Sequence, residues 1–112
     1  MKREPMLAGQ IDLMVLAVVA RRPSHGYAII EALRMRSGGR LELAEGTIYP
    51  ALYRLEQAGL LVSEARKVGG RTRRTYRITR AGRGALRERE RAWREMVDRV
   101  DAIVRGITPE HG

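Results

Sequence analysis

Residues 45–60 combine hydrogen-bonding and cationic side chains with the spacing of a helix. Four apolar residues recur at i, i+3, i+4 and i+7, which gathers them on one face. They are Ile48, Ala51, Leu52 and Leu55. The opposite face carries side chains that reach phosphates and base edges when a helix lies in a major groove. These are Thr47, Tyr49, Tyr53, Arg54 and Gln57. Gly59 predicts the end of this helix, and an ordinary amphipathic surface helix is the alternative interpretation.

A second cluster of charge follows this helix directly. Five cations and no acid occur between positions 66 and 74, namely Arg66, Lys67, Arg71, Arg73 and Arg74. Like charges on a small protrusion repel one another, so the run favours a position beside a phosphate backbone or in a narrow minor groove. A solvated turn that protects a strand edge from aggregation is the alternative. Its position immediately after the helix favours the first interpretation.

Composition also favours an anionic partner. The 112 residues include 22 Lys and Arg against 13 Asp and Glu, which gives a net charge of +9, and there is no cysteine. Nucleic acid or an acidic membrane surface would suit this charge. No apolar run approaches the roughly 20 residues that span a bilayer, and the first ten residues lack the apolar core of a signal peptide. We therefore expect a cytoplasmic protein without a membrane partner.

Residues for catalysis or metal binding are scarce. The two histidines, His25 and His111, lie far apart in the sequence, so no metal cluster or nucleophilic triad is predicted. Gly69 and Gly70 are followed by Arg-Thr and not by the Lys-Ser or Lys-Thr of a phosphate-binding loop. We expect no enzymatic activity, no cofactor and no metal.

Breakers and periodicity predict the elements that position these groups. A first helix with Ile11, Met14, Val15 and Val18 on one face ends at Arg21 to Pro23. A second helix, capped by Ser24 and ended by Gly38 and Gly39, presents a further apolar set. That set is Tyr27, Ile29, Ile30 and Leu33, and Leu41 and Leu43 could form a very short strand. Around the Gly69-Gly70 turn, Leu60 and Val62 alternate with polar residues, as do Tyr76 and Ile78, which predicts a hairpin. The fold class is α+β, mostly α, with a winged helix-turn-helix at 8–79.

The last third predicts one long helix at 80–107. Thr79 can cap its start and Gly106 can end it. A seam of apolar residues recurs along it at steps of 4, 3, 4 and 3, which is the heptad spacing of helices that pack side by side. The seam consists of Trp93, Val97, Val100, Val104 and Ile107. A second copy of the chain is the expected partner, with Val97, Val100, Val104 and Ile107 at the interface of a homodimer. The alternative is a seam that folds back on its own domain.

Four motifs occur in an order that resembles the PadR family of winged-helix transcriptional regulators. They are HGYAII at 25–30, GTIYPALYRLE at 46–56, AGLL at 58–61 and RRTYRITRAG at 73–82, and the resemblance runs from about residue 10 to 107. It implies that Thr47, Tyr49 and the basic wing approach DNA. His25 and Tyr27 would serve packing or phosphate contact, with packing favoured. The single C-terminal helix resembles a smaller subfamily that includes multidrug-binding repressors.

That resemblance also implies a role for Trp93, the only tryptophan in a chain without phenylalanine. Paired Trp93 rings from two subunits could line a slot with Met96 and Val97 as adaptable walls, and a planar aromatic effector could stack there. The alternative is a core role, in which the ring fills the gap between the long helix and the winged-helix body.

Together these observations predict a sequence-specific DNA-binding regulator that binds a double-stranded operator as a homodimer. It is expected to be a repressor that a small molecule relieves. A basic RNA- or ribosome-associated protein without effector control is the alternative, although such modules usually present stacking aromatics on a sheet. A peripheral membrane protein would need a basic amphipathic helix with large exposed apolar residues, whereas the last helix has mixed charges.

Overall fold

The computed structural model describes residues 8–106, in which four helices and three short strands follow one another. The helices are α1 (Ala8–Arg21), α2 (Gly26–Arg36), α3 (Glu45–Gln57) and α4 (Arg80–Arg105), and the strands are β1 (Ser24–His25), β2 (Leu61–Val68) and β3 (Arg71–Ile78). The antiparallel sheet has the order β1-β3-β2. This arrangement confirms the predicted winged helix-turn-helix with a long C-terminal helix. Ile107, a predicted interface residue, lies outside the described residues.

The core lies where α1, α2, α3 and the inner end of the hairpin meet. Its fully buried side chains include Leu16, Ile29, Ile48, Leu52 and Leu61. α1 is buried on most sides, as its nearly continuous apolar sequence predicts. In α3 the four residues at i, i+3, i+4 and i+7 are all buried, so the predicted apolar face is the face that packs.

The start of α2 differs from the prediction. His25 is the N-cap residue and makes no side-chain capping bond, while the Ser24 hydroxyl donates to the Arg22 carbonyl at 3.0 Å. Ser24 is not the cap because it pairs with Tyr76 as part of β1. Tyr27, predicted on the packed face, is 58% exposed, because Gly26, Ile29 and Leu33 occupy that face instead.

The third strand of the sheet is also not the predicted one. Leu41 and Leu43 lie in a segment without regular structure, although both pack against the core. β1 takes the place beside β3, with Ser24 opposite Tyr76 and His25 opposite Thr75. A pair of residues is too short to show any periodicity, so the pairing is decided by the approach of β3.

The hairpin has the predicted turn but a different phase at its first strand. Val68 pairs with Arg71 across Gly69 and Gly70, whose φ angles are 59° and 80°. Positive φ at both central residues is the requirement of a type I′ turn. Leu61, not Val62, is buried, because Leu61 lies opposite Ile78 on the core face; Val62 is 49% exposed. A shift of one residue moves a side chain to the other face of a strand.

α4 begins at a capped turn and extends beyond the winged-helix body. The Thr79 hydroxyl accepts from the Gly82 amide at 2.9 Å and donates to the Gly59 carbonyl at 2.7 Å. Gly106 ends the helix in the left-handed region. The first turns pack on α1 and β3, and the remaining length makes the chain elongated, with extents of 60 × 37 × 21 Å. Within residues 8–106, no helix combines the length and apolar character needed to cross a membrane.

Candidate nucleic-acid interface

The outer half of the hairpin is a protrusion of cations, here called the wing. Beyond Ser63, every residue of β2 is exposed, because this part of the hairpin has no core to cover. Arg66 lies directly opposite Arg73, and Val68 lies opposite Arg71 at the tip. Like charges in directly opposite positions destabilise a sheet. A polyanion between them would turn this repulsion into attraction.

Two of the five wing cations have partners within the chain, and three do not. Arg66 lies 3.7 Å from a Glu64 oxygen. Arg74 donates to the Ser63 hydroxyl at 2.9 Å, and that hydroxyl donates to Glu56 in α3 at 2.8 Å. Lys67, Arg71 and Arg73 make no ion pair or side-chain hydrogen bond with the residues that the structure describes. These three are therefore available for phosphate.

A cleft of about 450 Å³ separates the wing from the α2–α3 corner. Its lining contains three arginines and no acid; the residues are His25, Gly26, Tyr27, Tyr49, Val68, Arg71, Thr72, Arg73 and Arg74. The pairing of His25 with Thr75 puts the imidazole on the sheet face that also carries Arg73. Burial, and then the charge of Arg73, lower the pKa of His25 below its usual value. An anion in the cleft would relieve the second effect.

The exposed face of α3 carries the predicted tyrosines. Tyr49 is 43% exposed and Tyr53 is 65% exposed, whereas Thr47 is half-buried. Tyr49 leans toward α2, since its ring packs on Gly26. It therefore joins the cleft, while Tyr53, one turn later, lies on the outer surface of the helix.

Arg54 has a partner that the sequence did not indicate. Its Nη2 donates to Oδ1 of Asp12 in α1 at 2.8 Å. Asp12 is almost buried and also lies 3.7 Å from Arg89 of α4. The structure thus separates Arg54 from the other predicted contact residues by binding its guanidinium to the body of the protein.

Several residues of this surface were not singled out by their sequence pattern. His25 and Tyr27, favoured for packing, both line the cleft. Gly46 and Pro50 lie with Tyr53 and Gln57 on the exposed strip of α3, and nothing lies within 4 Å of the position of a Cβ on Gly46. The i, i+4, i+7 and i+11 spacing of these four could have identified the strip, because it is the complement of the apolar face.

The far part of α4 presents apolar side chains to solvent. Trp93 is 43% exposed, Val100 47%, and Val104 75%. Met96 and Ile103 belong to the same surface, and Ile103 is the most exposed of all at 78% although the heptad pattern omits it. The seam therefore does not fold back on its own domain, and Trp93 is not a core residue of the single chain. A groove of about 220 Å³ beside Trp93 and Val97 is also lined by Glu90, Arg94 and Asp98.

Known proteins share this fold and much of this sequence. The family model described as "Transcriptional regulator PadR-like family" matches residues 15–88. Rv3488 of Mycobacterium tuberculosis, named as a transcriptional regulator, is 47% identical over 90 residues, which cover 80% of this chain and 81% of that protein. A PadR family transcriptional regulator from Eggerthella lenta is 34% identical with a TM-score of 0.77, covering 86% of this chain and 82% of that chain. The smu.1704 structure from Streptococcus mutans is 29% identical with a TM-score of 0.80, covering 98% of this chain and 100% of that chain.

Proposed function

The chain belongs to the PadR-like family of transcriptional regulators, and we propose that it is a homodimeric, sequence-specific DNA-binding repressor relieved by a small molecule. In this proposal residues 8–79 bind DNA, and residues 80–107 join two copies. Repression fits a chain of this size, since it requires occupancy of a promoter and no further contact with the transcription machinery.

The observation that carries the proposal is the cationic cleft between the wing and the α2–α3 corner. Its three arginines and His25 converge without an acid in the lining, and B-DNA offers one phosphate charge per about 1.7 Å of its axis. A phosphate in the cleft would meet Arg71, Arg73 and the imidazole together. Arg66 and Lys67 extend the same charge along the wing.

Sequence preference would come from α3. The exposed strip of this helix begins with Gly46, which has no side chain, so the backbone can approach base edges closely. Tyr53 and Gln57 then supply a flat ring and an amide that donate and accept hydrogen bonds. Tyr49 and Thr47 lie at the edge of the strip and suit a contact between groove and backbone.

Dimer formation is supported by the apolar surface of α4. Val97, Val100 and Val104 follow one seam, and Met96 and Ile103 widen it. Apolar side chains with such exposure gain free energy when a second helix covers them, at about 25 cal/mol per Å² of apolar surface. A two-fold dimer would present two α3 helices to two half-sites one helical turn apart, about 34 Å.

Relief by a small molecule is supported by the groove at Trp93. An indole ring with Val97 offers a flat apolar wall, and Glu90 and Asp98 supply negative charge at the same groove. These groups favour a planar aromatic cation, which stacks on the ring and is attracted by the carboxylates. Such a ligand releases DNA when it binds one arrangement of the two subunits more tightly than the other.

RNA binding is less well supported by the same surfaces. The tyrosine of the sheet, Tyr76, is 6% exposed, and burial raises the pKa of its phenol. A buried ring cannot stack on a base, so the sheet lacks the platform that sheet-based RNA modules use.

The test begins with selection of genomic fragments by the purified protein. The recovered sequence is then measured by fluorescence anisotropy against a scrambled duplex of the same length and composition. We expect tighter binding to the selected duplex and a stoichiometry of two chains per duplex. Equal affinity for both duplexes would refute a sequence-specific regulator.

The effector part of the proposal is tested separately with a planar cationic dye, ethidium being excluded because it binds DNA itself. Rhodamine 6G is added to the protein while tryptophan emission is recorded, and the operator affinity is measured in the same dye series. We expect quenching together with weaker operator binding. Trp93→Leu is the matched variant and should lose both responses while still binding the operator.

A further inference from the structure

Asp12 lies at the centre of a charged cluster that joins three helices. Its Oδ1 accepts from Arg54 of α3 at 2.8 Å, and its Oδ2 lies 3.7 Å from Nη1 of Arg89 of α4. The Asp12 side chain is 13% exposed. A carboxylate so far from water is stable when cations compensate it, so both contacts have a physical reason to persist.

Arg89 holds the less complete of the two contacts. Its Nη1 is buried and makes no hydrogen bond with any described residue, although Asp12 is the nearest acid. A distance of 3.7 Å allows Coulomb attraction but exceeds a hydrogen bond, which needs about 2.9 Å. A movement of α4 toward α1 by less than an ångström would close this contact, while a movement away would leave a buried cation uncompensated. The contact therefore favours one position of α4 over others.

The position of Arg89 along α4 gives this preference a consequence. Arg89 precedes Trp93 by four residues, so the two side chains lie on one face about 6 Å apart along the axis. Leu86, one turn earlier, packs on the core, whereas Trp93 and Val100 are exposed. Arg89 thus stands where α4 changes from packing on its own domain to presenting its apolar surface.

We propose that Asp12, Arg54 and Arg89 are positioning residues that couple the orientation of α4 to that of α3. The proposal rests on the proposed DNA-binding function. In a dimer joined through α4, the angle between α4 and α3 sets the distance between the two α3 helices. A sequence-specific complex needs both helices in register with their half-sites. A non-specific complex needs only phosphate contact and tolerates a wrong distance. Loss of the coupling should therefore weaken specific binding alone.

The experiment compares four proteins with the wild type on two labelled duplexes, the sequence selected by the wild-type protein and its scramble. Asp12→Asn keeps the shape and removes the charge, and Arg89→Met keeps the stem and removes the guanidinium. The double variant completes a cycle. Arg87→Met is the matched control, because Arg87 is exposed on the same helix and forms no ion pair with described residues.

We expect Asp12→Asn and Arg89→Met each to weaken binding to the selected duplex by about five-fold or more. Affinity for the scramble and its salt dependence should stay unchanged, and the double variant should be no weaker than Asp12→Asn alone. Arg87→Met should resemble the wild type. Sedimentation should show the same oligomer for all five proteins.

Three results would overturn the coupling while leaving the proposed function intact: discrimination by Arg89→Met that equals the wild type, equal losses on both duplexes, or additive losses in the double variant. A steeper salt dependence in Asp12→Asn would also overturn it, since it would mean that Asp12 only withholds Arg54 from phosphate. If Asp12→Asn does not fold, the comparison of Arg89→Met with Arg87→Met decides. A wild-type protein without any sequence preference would refute both proposals.

Discussion

The ring of Tyr49 lies against the α-carbon of Gly26, and no other residue type would fit in that place. A Cβ on Gly26 would stand 2.5 Å from Cζ of the tyrosine and 2.6 Å from Cε1, well inside van der Waals contact. This approach joins the start of α2 to the first turns of α3. It also fixes the ring at the edge of the cationic cleft.

Replacement of Gly26 by alanine should therefore displace Tyr49. The ring can rotate outward because its far end is exposed, so we expect the free energy of unfolding to fall by about 1–3 kcal/mol, the usual cost of overpacking. Operator affinity should fall as well, because the ring leaves the cleft. Urea unfolding and anisotropy measure the two effects.

The control for this prediction is a double-mutant cycle with Tyr49→Ala. Once the ring is absent, Gly26→Ala should no longer destabilise the protein, since nothing else is named within the clash distance. Additive losses in the double variant would contradict the packing relationship. Tyr49→Phe separates the roles further, because it keeps the ring on Gly26 and removes only the hydroxyl.

Two glycines in the first turns of α4 should respond to alanine in opposite directions. A Cβ on Gly82 would collide with the Leu60 carbonyl oxygen and stand 2.7 Å from Cγ1 of Ile78, whereas Gly84 has nothing within 4 Å. Gly84→Ala should stabilise by about 0.5–1 kcal/mol through the lower entropy of the unfolded chain. Gly82→Ala should destabilise, because a backbone carbonyl cannot move aside without shifting the start of α4. Thermal unfolding of both variants gives the comparison, and equal shifts would disprove the close approach.

Local chemistry made most of the fold predictable. Gly59, the Gly69-Gly70 turn and the Thr79 cap act through their own backbone or a neighbour a few residues away, so each is readable from sequence. The features that were missed depend on distant residues. β1 exists because β3 approaches Ser24, and the burial of Leu61 follows from its pairing with Ile78.

The candidate site divides in the same way. The wing cations form a run without acids, and their exposure follows from the hairpin alone. Arg54 was grouped with them because it lies outside the apolar face of α3, but its actual partner is 42 positions away in α1. Helical periodicity gives the face of a side chain and cannot give the residue that another helix presents to it.

The free cations of the wing should determine how DNA binding depends on salt. Arg71→Ala and Arg73→Ala should each lower the slope of log K against log salt by about 0.9, the value for one phosphate contact in B-DNA. Both should weaken selected and scrambled duplexes alike. Arg105→Ala removes the same charge at the far end of α4 and should leave the slope unchanged. A change of slope in Arg105→Ala equal to that in Arg71→Ala would mean that net charge, and not the wing, governs binding.

DNA affinity should rise as the pH falls through the range near and below 6.5, the ordinary pKa of histidine. In the free protein, burial and Arg73 lower the pKa of His25, so the imidazole is neutral at pH 7. A phosphate in the cleft favours the charged form and raises that pKa, so binding takes up a proton. The other groups at the cleft, Arg71, Arg74 and the phenols of Tyr27 and Tyr49, keep one charge state across this range.

His25→Gln is the control for this pH dependence. The variant should bind with a flatter pH profile between 7.5 and 5.5 than the wild type. Stability should show the opposite sign, because a lowered pKa means that the unfolded chain takes up the proton first. The wild type should therefore lose stability below pH 6.5 relative to His25→Gln. Identical pH profiles for the two proteins would remove His25 from the cleft's chemistry.

A charge in the seam of α4 should dissociate the dimer. Val100 is 47% exposed in the single chain, so an aspartate there is hydrated in the monomer and must lose its water when a second helix covers it. Val100→Asp should therefore shift the equilibrium to monomer without unfolding the winged-helix body, and operator affinity should fall because one half-site remains. Ala102→Asp adds the same charge on the opposite face of the same turn and should leave both properties unchanged. Sedimentation velocity over a range of protein concentrations distinguishes the two variants. If Ala102→Asp dissociates as readily as Val100→Asp, net charge on α4 and not burial of the seam would control assembly, and a wild type that stays monomeric at micromolar concentration would rule out this helix as the interface.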